Sequence, residues 1–479
     1  MLTTGRRAAR AAVRARIGAA KRRNGRGAKA GQEGGGVRDT QHEDQPATVA
    51  TTPTQAGDSQ ARWAWVERAV WTERMLAALE TGVQGGKWFS LMDKVYAPAN
   101  LAAAWETVRR KHGCGGVDGQ SLHAFAARAE QELARLAEDL RTGAYRPHPV
   151  KRVQIPKPGS RETRPLGIPT VRDRVAQTAL RHVLEPIFER RFRPCSYGFR
   201  PGRGCQDALG RVHALLNDGY AWVVDADLEQ YFETIPHDRL MHEVEQEVAD
   251  GRVLEVLRGY LTTGVLDGHE MWTPEQGTPQ GAVISPLLAN IYLHPVDVAM
   301  SDAGYAMVRY ADDVVVLCRS EAEAHAALAV LRGLIEGRGL TLHPIKTRIV
   351  DVTQRGGFDF LGYHFERGYR WPRKKSLTKL KDAIRAKTRR TSGHSLPRII
   401  VEVNRTVRGW FAYFRHSHPN TFRGLDSWVR MRLRSILRKR VGLRGRSRGQ
   451  DHQRWPNAFF RDAGLYTMTE ARTVVCWPP

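Results

Sequence analysis

The stretch that decides the fold is Tyr305 to Cys318, YAMVRYADDVVVLC. Two short, apolar, β-prone runs, 306–308 and 314–317, flank the tetrapeptide Tyr310-Ala311-Asp312-Asp313. This pattern predicts two strands joined by a tight hairpin with two aspartates at its tip. Since Asp is a common turn former, a solvated hairpin is one interpretation of the pair. Neighbouring carboxylates also repel each other, and a divalent cation would offset that cost.

A possible third carboxylate lies upstream, in the β-prone run Ala221 to Leu228, AWVVDADL, where Asp227 precedes Asp312 by 85 residues. Two strands lying side by side would place Asp225 or Asp227 against Asp312. Alternate residues of a strand face the same side, so parity does not separate the two candidates. Three carboxylates that converge on hard cations form the kind of site that Mg²⁺ needs for phosphoryl transfer.

These two stretches resemble motifs of the reverse transcriptase/maturase proteins encoded by mobile group II introns. Tyr310 to Asp313 is similar to the YADD motif, and Asp227 to Phe232, DLEQYF, is similar to the first catalytic block, usually DIxxFF. The resemblance, rather than the spacing, selects Asp227 over Asp225. It implies catalysis by Asp227, Asp312 and Asp313, with two Mg²⁺ ions on these side chains and on the backbone of Leu228, and with Asp313 as the least direct ligand.

Two further blocks extend the resemblance. Val153 to Gly159 and Arg164 to Pro169 predict a hairpin with a Pro/Gly turn, similar to the family's fingers block. Thr278 to Gly281, followed by the apolar segment Ser285 to Leu293, is similar to the PQG…SPLLANIYL block and predicts a loop followed by a buried helix. The resemblance implies contacts with the incoming nucleotide for Lys157, Arg164, Phe232, Gln280 and Lys346.

Three of these nucleotide contacts have a more specific expected role. Phe232 corresponds to the steric gate that excludes a 2′-hydroxyl and so selects deoxynucleotides, whereas the residues alone favour Tyr231 and Phe232 as core aromatics. Gln280 lies in the loop that packs beside the nascent base pair. Lys346 lies in a block that places it near the leaving pyrophosphate, which it is expected to protonate.

The positive charge of the chain is concentrated at its two ends. The 479 residues carry a formal net charge of +25, of which 1–60 contribute +6, 367–450 contribute +22 and the remainder −3. A charge of +22 over 84 residues would repel itself unless a polyanion screened it, and nucleic acid is the obvious polyanion. Residues 1–60 are low in apolar content and without period, which predicts a disordered basic tail.

The predicted architecture is α+β: a right-hand polymerase with fingers and a ferredoxin-like palm sheet, followed by an α-helical thumb. We expect a helical N-terminal extension over 61–145, fingers and palm over 146–372 and a thumb/maturase (X) domain over 373–479. In the extension, helical periodicity begins at Ala61 and runs through Leu79. In the thumb, helices are expected near 376–391, 396–416 and 422–441.

The thumb carries the predicted RNA-binding surface. Gly409 to Arg415, GWFAYFR, followed by Leu425 to Arg430, resembles the maturase domain of the family. Its aromatics recur at helical spacing and are expected in the bundle core, with the arginines between them facing RNA. The Ser196 to Arg203 loop offers a further surface for stacking and phosphate contact. The RNA-binding candidates are Arg200, Arg203, Arg408, Arg415, Arg430 and Arg434.

Composition excludes several other classes of protein. No apolar run approaches the roughly 20 residues that a membrane helix needs. There is no CxxC pair and no secretory signal, so we expect a reduced bacterial cytosol, in association with the nucleoid, and no zinc. The five cysteines lie far apart, at positions 114, 195, 205, 318 and 476.

The expected activity is RNA-directed DNA synthesis. The resemblance implies group II intron RNA as template and splicing substrate, a DNA primer or target, and dNTPs. The family's HNH endonuclease segment is not recognisable, so we expect priming from an existing 3′-end. Two alternatives remain: an RNA-binding splicing factor with a vestigial polymerase, and a domesticated reverse transcriptase in defence or repair.

Overall fold

The computed structural model describes residues 62–83, 85–156, 163–445 and 449–474. The expected N-terminal tail and Lys157 lie outside these described residues. Among them, no helix combines the length and the apolar character that crossing a membrane requires.

The first part of the described chain is helical but begins later than the periodicity predicts. The helices are α1 (Glu73–Thr81), α2 (Met92–Val95), α3 (Pro98–Arg110), α4 (Leu122–Ala126) and α5 (Ala129–Thr142). The helix expected from Ala61 is wrong over 62–72, where turns predominate. Trp63 and Trp71 are buried there, and the Trp71 indole donates a hydrogen bond to the His182 carbonyl at 2.8 Å. The apolar spacing therefore reflects burial of a turn-rich segment.

The predicted fingers hairpin is present. Strands β1 (Val150–Pro156) and β2 (Thr163–Ile168) pair antiparallel, with Ile155 opposite Arg164. Two short strands, β4 (Val265–Asp267) and β5 (Glu270–Trp272), complete a sheet of order β2-β1-β4-β5. The long buried helix α6 (Val171–Glu189) follows β2 and packs against α3.

The palm is a four-stranded antiparallel sheet of spatial order β6-β7-β3-β8. Its strands are β3 (Trp222–Asp227), β6 (Ala306–Tyr310), β7 (Asp313–Cys318) and β8 (Arg348–Asp351). Helix α11 (Ser285–Asp302) comes before β6, and α12 (Glu321–Gly337) connects β7 to β8. This is the β-α-β-β-α-β arrangement of a ferredoxin-like sheet, as predicted.

Successive side chains of the palm strands face two different hydrophobic cores. Val224 and Val316 belong to a core shared with α11 and α12. Val223 and Val315 face a second core, formed with α7 (Cys205–Asn217) and a small sheet of order β11-β10-β9. Because successive side chains point to opposite faces, every residue in phase with Val223 lies on the α7 face. The strands of the small sheet are β9 (Phe358–Phe360), β10 (Tyr363–Glu366) and β11 (Tyr369–Pro372).

Three helices lie between β3 and α11, namely α8 (Tyr231–Thr234), α9 (His237–Glu245) and α10 (Gly251–Leu261). The thumb then forms its own core from α13 (Lys374–Lys387), α14 (Leu396–Phe414) and α15 (Pro419–Arg440). These three helices confirm the prediction to within a few residues at each end. Short helices follow: α16 (Gly449–Arg454), α17 (Asn457–Asp462) and α18 (Met468–Val474). Of the α14 aromatics, Phe411 lies in this core and Trp410 packs against it, as expected, whereas Tyr413 and Phe414 pack with the second palm core.

Candidate active site

The palm register brings the predicted carboxylates to one end of the sheet. Asp227, the last residue of β3, lies directly opposite Asp313, the first residue of β7. Asp312 occupies the turn beside it, after Ala311, whose backbone is left-handed (φ 59°). The strand pairing is therefore confirmed, with one correction: the residue that faces Asp227 across the strands is Asp313, and Asp312 is its neighbour in the turn.

The surroundings of the turn disfavour the charged forms of Asp312 and Asp313. Burial raises the pKa of Asp312, and the negative charge of Asp227 raises it further. Loss of hydration beside the strands, and then repulsion from Asp312, Asp227 and Asp225, raises the pKa of Asp313 to about 7. The neighbouring negative charges thus disfavour the ionised forms of Asp312 and Asp313, and a bound cation would relieve that repulsion.

Asp225 and Asp227 share a face but have different partners. The Lys346 ammonium lies 2.8 Å from Oδ2 of Asp227, and both side chains are open to solvent. Asp225 lies one pleat deeper, with Arg348 Nε 3.3 Å from its Oδ2. Burial raises the pKa of Asp225 to about 6. Asp227 thus lies at the end of the sheet beside the turn, whereas Asp225 lies two residues farther from that end of β3.

Whether a metal ion fits this site depends on the chemistry of the Asp227, Asp312 and Asp313 carboxylates. Across the described ranges, no three carboxylate, imidazole or thiol groups are already grouped so that they could hold an ion. Lys346 holds Asp227 in this arrangement. Carboxylate oxygens are the ligands that Mg²⁺ prefers, and burial together with repulsion from neighbouring carboxylates raises the pKa of both Asp312 and Asp313. The residues therefore fit a divalent cation once Asp227 leaves Lys346.

A buried network beneath the turn was missed by the sequence reasoning. Arg309, fully buried in β6, donates to both carboxylate oxygens of Asp297 in α11. Its remaining donors reach Asn290 Oδ1 and the Ala311 carbonyl, each at 3.0 Å, and Ser196 Oγ at 2.8 Å. An arginine inside an apolar strand is itself a signal, because such a charge is almost never buried without a partner.

The same network ties the turn to the loop that precedes α7. Asn290 Nδ2 donates to the Gly198 carbonyl at 2.8 Å. A Cβ on Gly198 would lie 2.3 Å from the backbone nitrogen of Ala311, so only glycine allows this approach. The position of the aspartate turn therefore depends on α11 and on residues 196–198, as well as on its own strands.

The proposed sugar gate is only partly buried. Tyr231 is a core residue whose hydroxyl donates to the Ala289 carbonyl. Phe232 is half-buried and meets the exposed ring of Phe199 edge-on, with centroids 6.4 Å apart. The core interpretation thus holds for Tyr231, while Phe232 presents part of its ring to the surface.

The remaining nucleotide-binding candidates occupy different surfaces. Arg164 is exposed on β2 of the fingers. Gln280 does not extend freely, because its Nε2 donates to Oε1 of Glu233 at 2.7 Å. Sequence reasoning gave Glu233 no role, and its position next to Phe232 is the signal that could have identified it.

Comparison with known proteins identifies the family. Residues 155–365 match the model described as reverse transcriptase (RNA-dependent DNA polymerase), and residues 377–455 match the group II intron maturase-specific domain. Protein YkfC of Escherichia coli (strain K12) is 36% identical over 291 residues, covering 53% of this chain and 76% of YkfC. The chain belongs to the group II intron reverse transcriptase/maturase family. As a reverse transcriptase it is an RNA-directed DNA polymerase, an activity that depends on divalent metal ions in general.

Other relatives of this reverse transcriptase share shorter segments. Group II intron-encoded protein LtrA of Lactococcus lactis subsp. cremoris is 38% identical over 169 residues, 35% of this chain and 28% of LtrA. Nuclear intron maturase 2, mitochondrial, of Arabidopsis thaliana is 27% identical over 252 residues, 44% of this chain and 33% of the relative. The chain therefore spans most of YkfC but a third or less of these two.

Two solved structures superpose on this chain only distantly. A Cas6-RT-Cas1–Cas2 complex matches at 26% identity over 52% of this chain and 41% of that chain, with a TM-score of 0.34. Telomerase from Candida albicans matches at 12% identity over 66% and 64%, with a TM-score of 0.38. Both TM-scores lie below 0.5, so the fold rests on the sheet topology and the family match.

Two of the arginines expected to bind RNA are buried instead. Arg200 donates to Glu189 and to two backbone carbonyls, and its side chain is 3% exposed. Arg434 donates to the Trp455 carbonyl at 2.9 Å and is also buried. Each guanidinium is already occupied by protein acceptors, so we remove both from the proposed RNA surface.

The other four arginines keep some exposure. Arg408 is exposed on α14 and lies over the Tyr466 ring, with its guanidinium carbon 5.2 Å from the centroid. Arg430 on α15, Arg415 after α14 and Arg203 near α7 are partly exposed. These positions stay candidates for contact with nucleic acid.

Proposed function

We propose that the chain copies RNA into DNA with two Mg²⁺ ions on Asp227, Asp312, Asp313 and the backbone of Leu228. When bound, such ions supply the charge stabilisation of nucleotidyl transfer and activate the primer 3′-hydroxyl. The observation that carries the proposal is the register that sets Asp227 opposite Asp313, with Asp312 in the adjoining turn. The protein's own contribution is position, because the reacting groups must be held in line.

We propose distinct tasks for the groups around the carboxylates. Arg164, on β2, and Lys157, which follows β1 in sequence, hold the triphosphate. Phe232 excludes the 2′-hydroxyl, and Gln280 lies against the nascent base pair. Lys346 would give up its contact with Asp227 to a bound metal ion, and it donates a proton toward the departing pyrophosphate. The exposure of Lys346 and its contact with Asp227 support such an exchange.

The biological substrate that we propose is a group II intron RNA, bound for splicing and then copied at a DNA target. The match to the maturase-specific domain supports this, as does the net charge of +22 over 367–450. In this proposal Arg203, Arg408, Arg415 and Arg430 contact RNA phosphates, a DNA strand supplies the primer and dNTPs are the substrates. The proposed location is the bacterial cytosol, at the nucleoid.

Template-directed incorporation tests this function. A DNA primer annealed to an RNA template of mixed sequence is incubated with Mg²⁺ and either four or three dNTPs. We expect extension with four dNTPs, a stop one position before the missing base with three, and no product when the metal is chelated. Products of unvarying length under all three conditions would contradict templated synthesis.

The second candidate function is RNA binding for splicing without DNA synthesis. The maturase-specific domain and the basic thumb favour it equally. The intact set of Asp227, Asp312 and Asp313 favours the active polymerase, because a vestigial site has no use for three mutually repelling carboxylates. Tight, salt-sensitive binding of intron RNA together with no primer extension would support the splicing factor.

A further inference from the structure

The loop that carries Gln280 is bonded directly to the helix that carries Phe232. Thr278 N donates to the Phe232 carbonyl at 2.6 Å, and Gly277 N donates to the Ile235 carbonyl at 2.7 Å. His237 Nε2 lies 2.8 Å from the Gly277 carbonyl oxygen. The short helix α8 and residues 277–280 therefore form one unit, although more than 40 residues separate them in sequence.

The contact between loop and helix leaves no room for a side chain. Gly277 has φ +88°, and a Cβ there would lie 2.7 Å from the Glu233 carbonyl oxygen and 2.8 Å from that of Phe232. Glycine is required both by the left-handed backbone and by the approach of the loop to the helix. The distance between loop and gate is thus fixed by backbone atoms.

The other end of the loop is fixed by the fingers. Gly167 N of β2 donates to the Gln280 carbonyl at 2.5 Å. Gly281 has φ +108°, and a Cβ there would lie 2.4 Å from the Gly167 carbonyl oxygen. The backbone of Gln280 is therefore tied to the strand that carries Arg164, while its side chain remains to be oriented.

Glu233 orients that side chain. Its Oε1 accepts from Gln280 Nε2 at 2.7 Å, and the two residues line a cavity of about 230 Å³ together with Arg152 and Gly167. A free glutamine samples many rotamers, so a single charged acceptor restricts it strongly. With its amide nitrogen held by Glu233, Gln280 presents its amide oxygen in a defined direction.

We propose that Glu233 is a positioning residue that locks Gln280 to the Phe232 helix, so that recognition of the base pair and of the sugar depend on each other. This rests on the proposed roles of Gln280 and Phe232. Displacement of the loop by a mispair would pull on Glu233 and so on the gate beside it. Conversely, a ribose that displaces Phe232 would shift Gln280. Base and sugar errors should therefore rise together when the Glu233–Gln280 hydrogen bond is removed, even though the backbone bonds between loop and helix remain.

The test compares Glu233→Ala, Glu233→Gln and Phe232→Ala in the full chain. For each we would measure the preference for dNTP over rNTP and the preference for the matched over the mismatched dNTP. Loss of one charged hydrogen bond predicts that Glu233→Ala lowers both preferences by roughly tenfold. Glu233→Gln keeps a carbonyl oxygen as acceptor and should retain both preferences near wild type.

A second variant removes the donor of the Glu233–Gln280 hydrogen bond instead of its acceptor. Gln280→Ala removes the donor and should relax sugar selection as well as base selection, although the proposal places Gln280 at the base pair. The double variant Glu233→Ala/Gln280→Ala should be no worse than the more affected single variant, because both remove the same bond. Losses that multiply in the double variant would overturn the proposal.

The controls separate failure of this inference from failure of the proposed function. If Phe232→Ala loses sugar selection while Glu233→Ala keeps both preferences, the coupling is wrong and the gate stands. If Phe232→Ala remains active with unchanged sugar selection, the gate itself is wrong and the coupling falls with it. Thermal melting and RNA binding on the same preparations identify misfolding, and a misfolded Glu233→Ala leaves the decision to Gln280→Ala.

Discussion

Two ion pairs lie on opposite sides of the YADD turn, and they differ in exposure. Beneath the turn, Arg309 and Asp297 are 1% and 0% exposed, and the guanidinium also holds the Ala311 carbonyl. Above it, Lys346 and Asp227 are 60% and 34% exposed and share a single contact of 2.8 Å. The buried pair is surrounded by further protein acceptors, whereas the open pair is partly exposed to solvent.

The difference indicates which charges fix the site and which take part in it. A buried pair cannot be broken without leaving an uncompensated charge, so it holds one geometry. An exposed pair contributes little to stability and exchanges partners readily. We infer that Arg309 fixes the position of the aspartate turn, and that Lys346 would give up its contact with Asp227 to a bound metal ion.

The largest stability effect is expected from breaking the buried pair. Arg309→Met leaves the Asp297 carboxylate buried without its counter-charge, which should cost about 3–5 kcal/mol. Primer extension should fall with it, because the Ala311 carbonyl no longer has its donor. The measurements are the urea midpoint of unfolding and the extension rate of the protein that remains folded.

A double variant separates the positioning of the turn by Arg309 from the contribution of the ion pair to stability. Arg309→Met/Asp297→Leu removes both charges and should recover much of the stability, since an apolar pair often replaces a buried ion pair without penalty. Extension should stay low, because the turn has no tie to α11. Recovery of full activity together with stability would show that the network has no positioning role.

The open pair should show the reverse pattern. Lys346→Met should change the free energy of unfolding by about 1 kcal/mol or less, as for other exposed pairs. The extension rate should fall by roughly 100-fold, the lower end of what a general acid contributes. Single-turnover extension and urea unfolding measure the two quantities. An unchanged rate would exclude Lys346 as proton donor.

The smallest effects are expected where single thumb charges meet RNA. Arg408→Gln or Arg430→Gln should weaken RNA binding and lower the slope of log affinity against log salt by about 1 for each phosphate that the variant no longer neutralises. The control is Arg332→Gln, which removes an exposed arginine from α12 of the palm. Titration at several salt concentrations measures the slopes. Equal slopes for all four proteins would move the RNA site elsewhere.

Local pattern predicted much of this molecule. The YADD hairpin, the strand that ends at Asp227 and the three long thumb helices follow from alternation and helical periodicity, which depend on near neighbours. The turns over 62–72 were misassigned because Trp63, Val66 and Val70 recur at helical spacing although they are buried in a turn-rich segment.

What pattern could not predict is which distant groups become partners. Parity left Asp225 and Asp227 equivalent. The family resemblance selected Asp227, and the register and the contacts to Arg348 and Lys346 show how the two differ in the structure. Burial of an arginine depends on acceptors elsewhere in the chain, such as Asp297 for Arg309. Gln280 and Glu233 are 47 residues apart in sequence, and no periodicity relates them.

A paired measurement on wild type and one variant tests whether the turn aspartates form the polymerase site. Wild type and Asp312→Ala are compared for extension of a DNA primer on an RNA template with Mg²⁺ and dNTPs, with RNA affinity measured on the same preparations. We expect the variant to lose extension and to bind RNA as tightly as wild type. Extension by Asp312→Ala at the wild-type rate would contradict it.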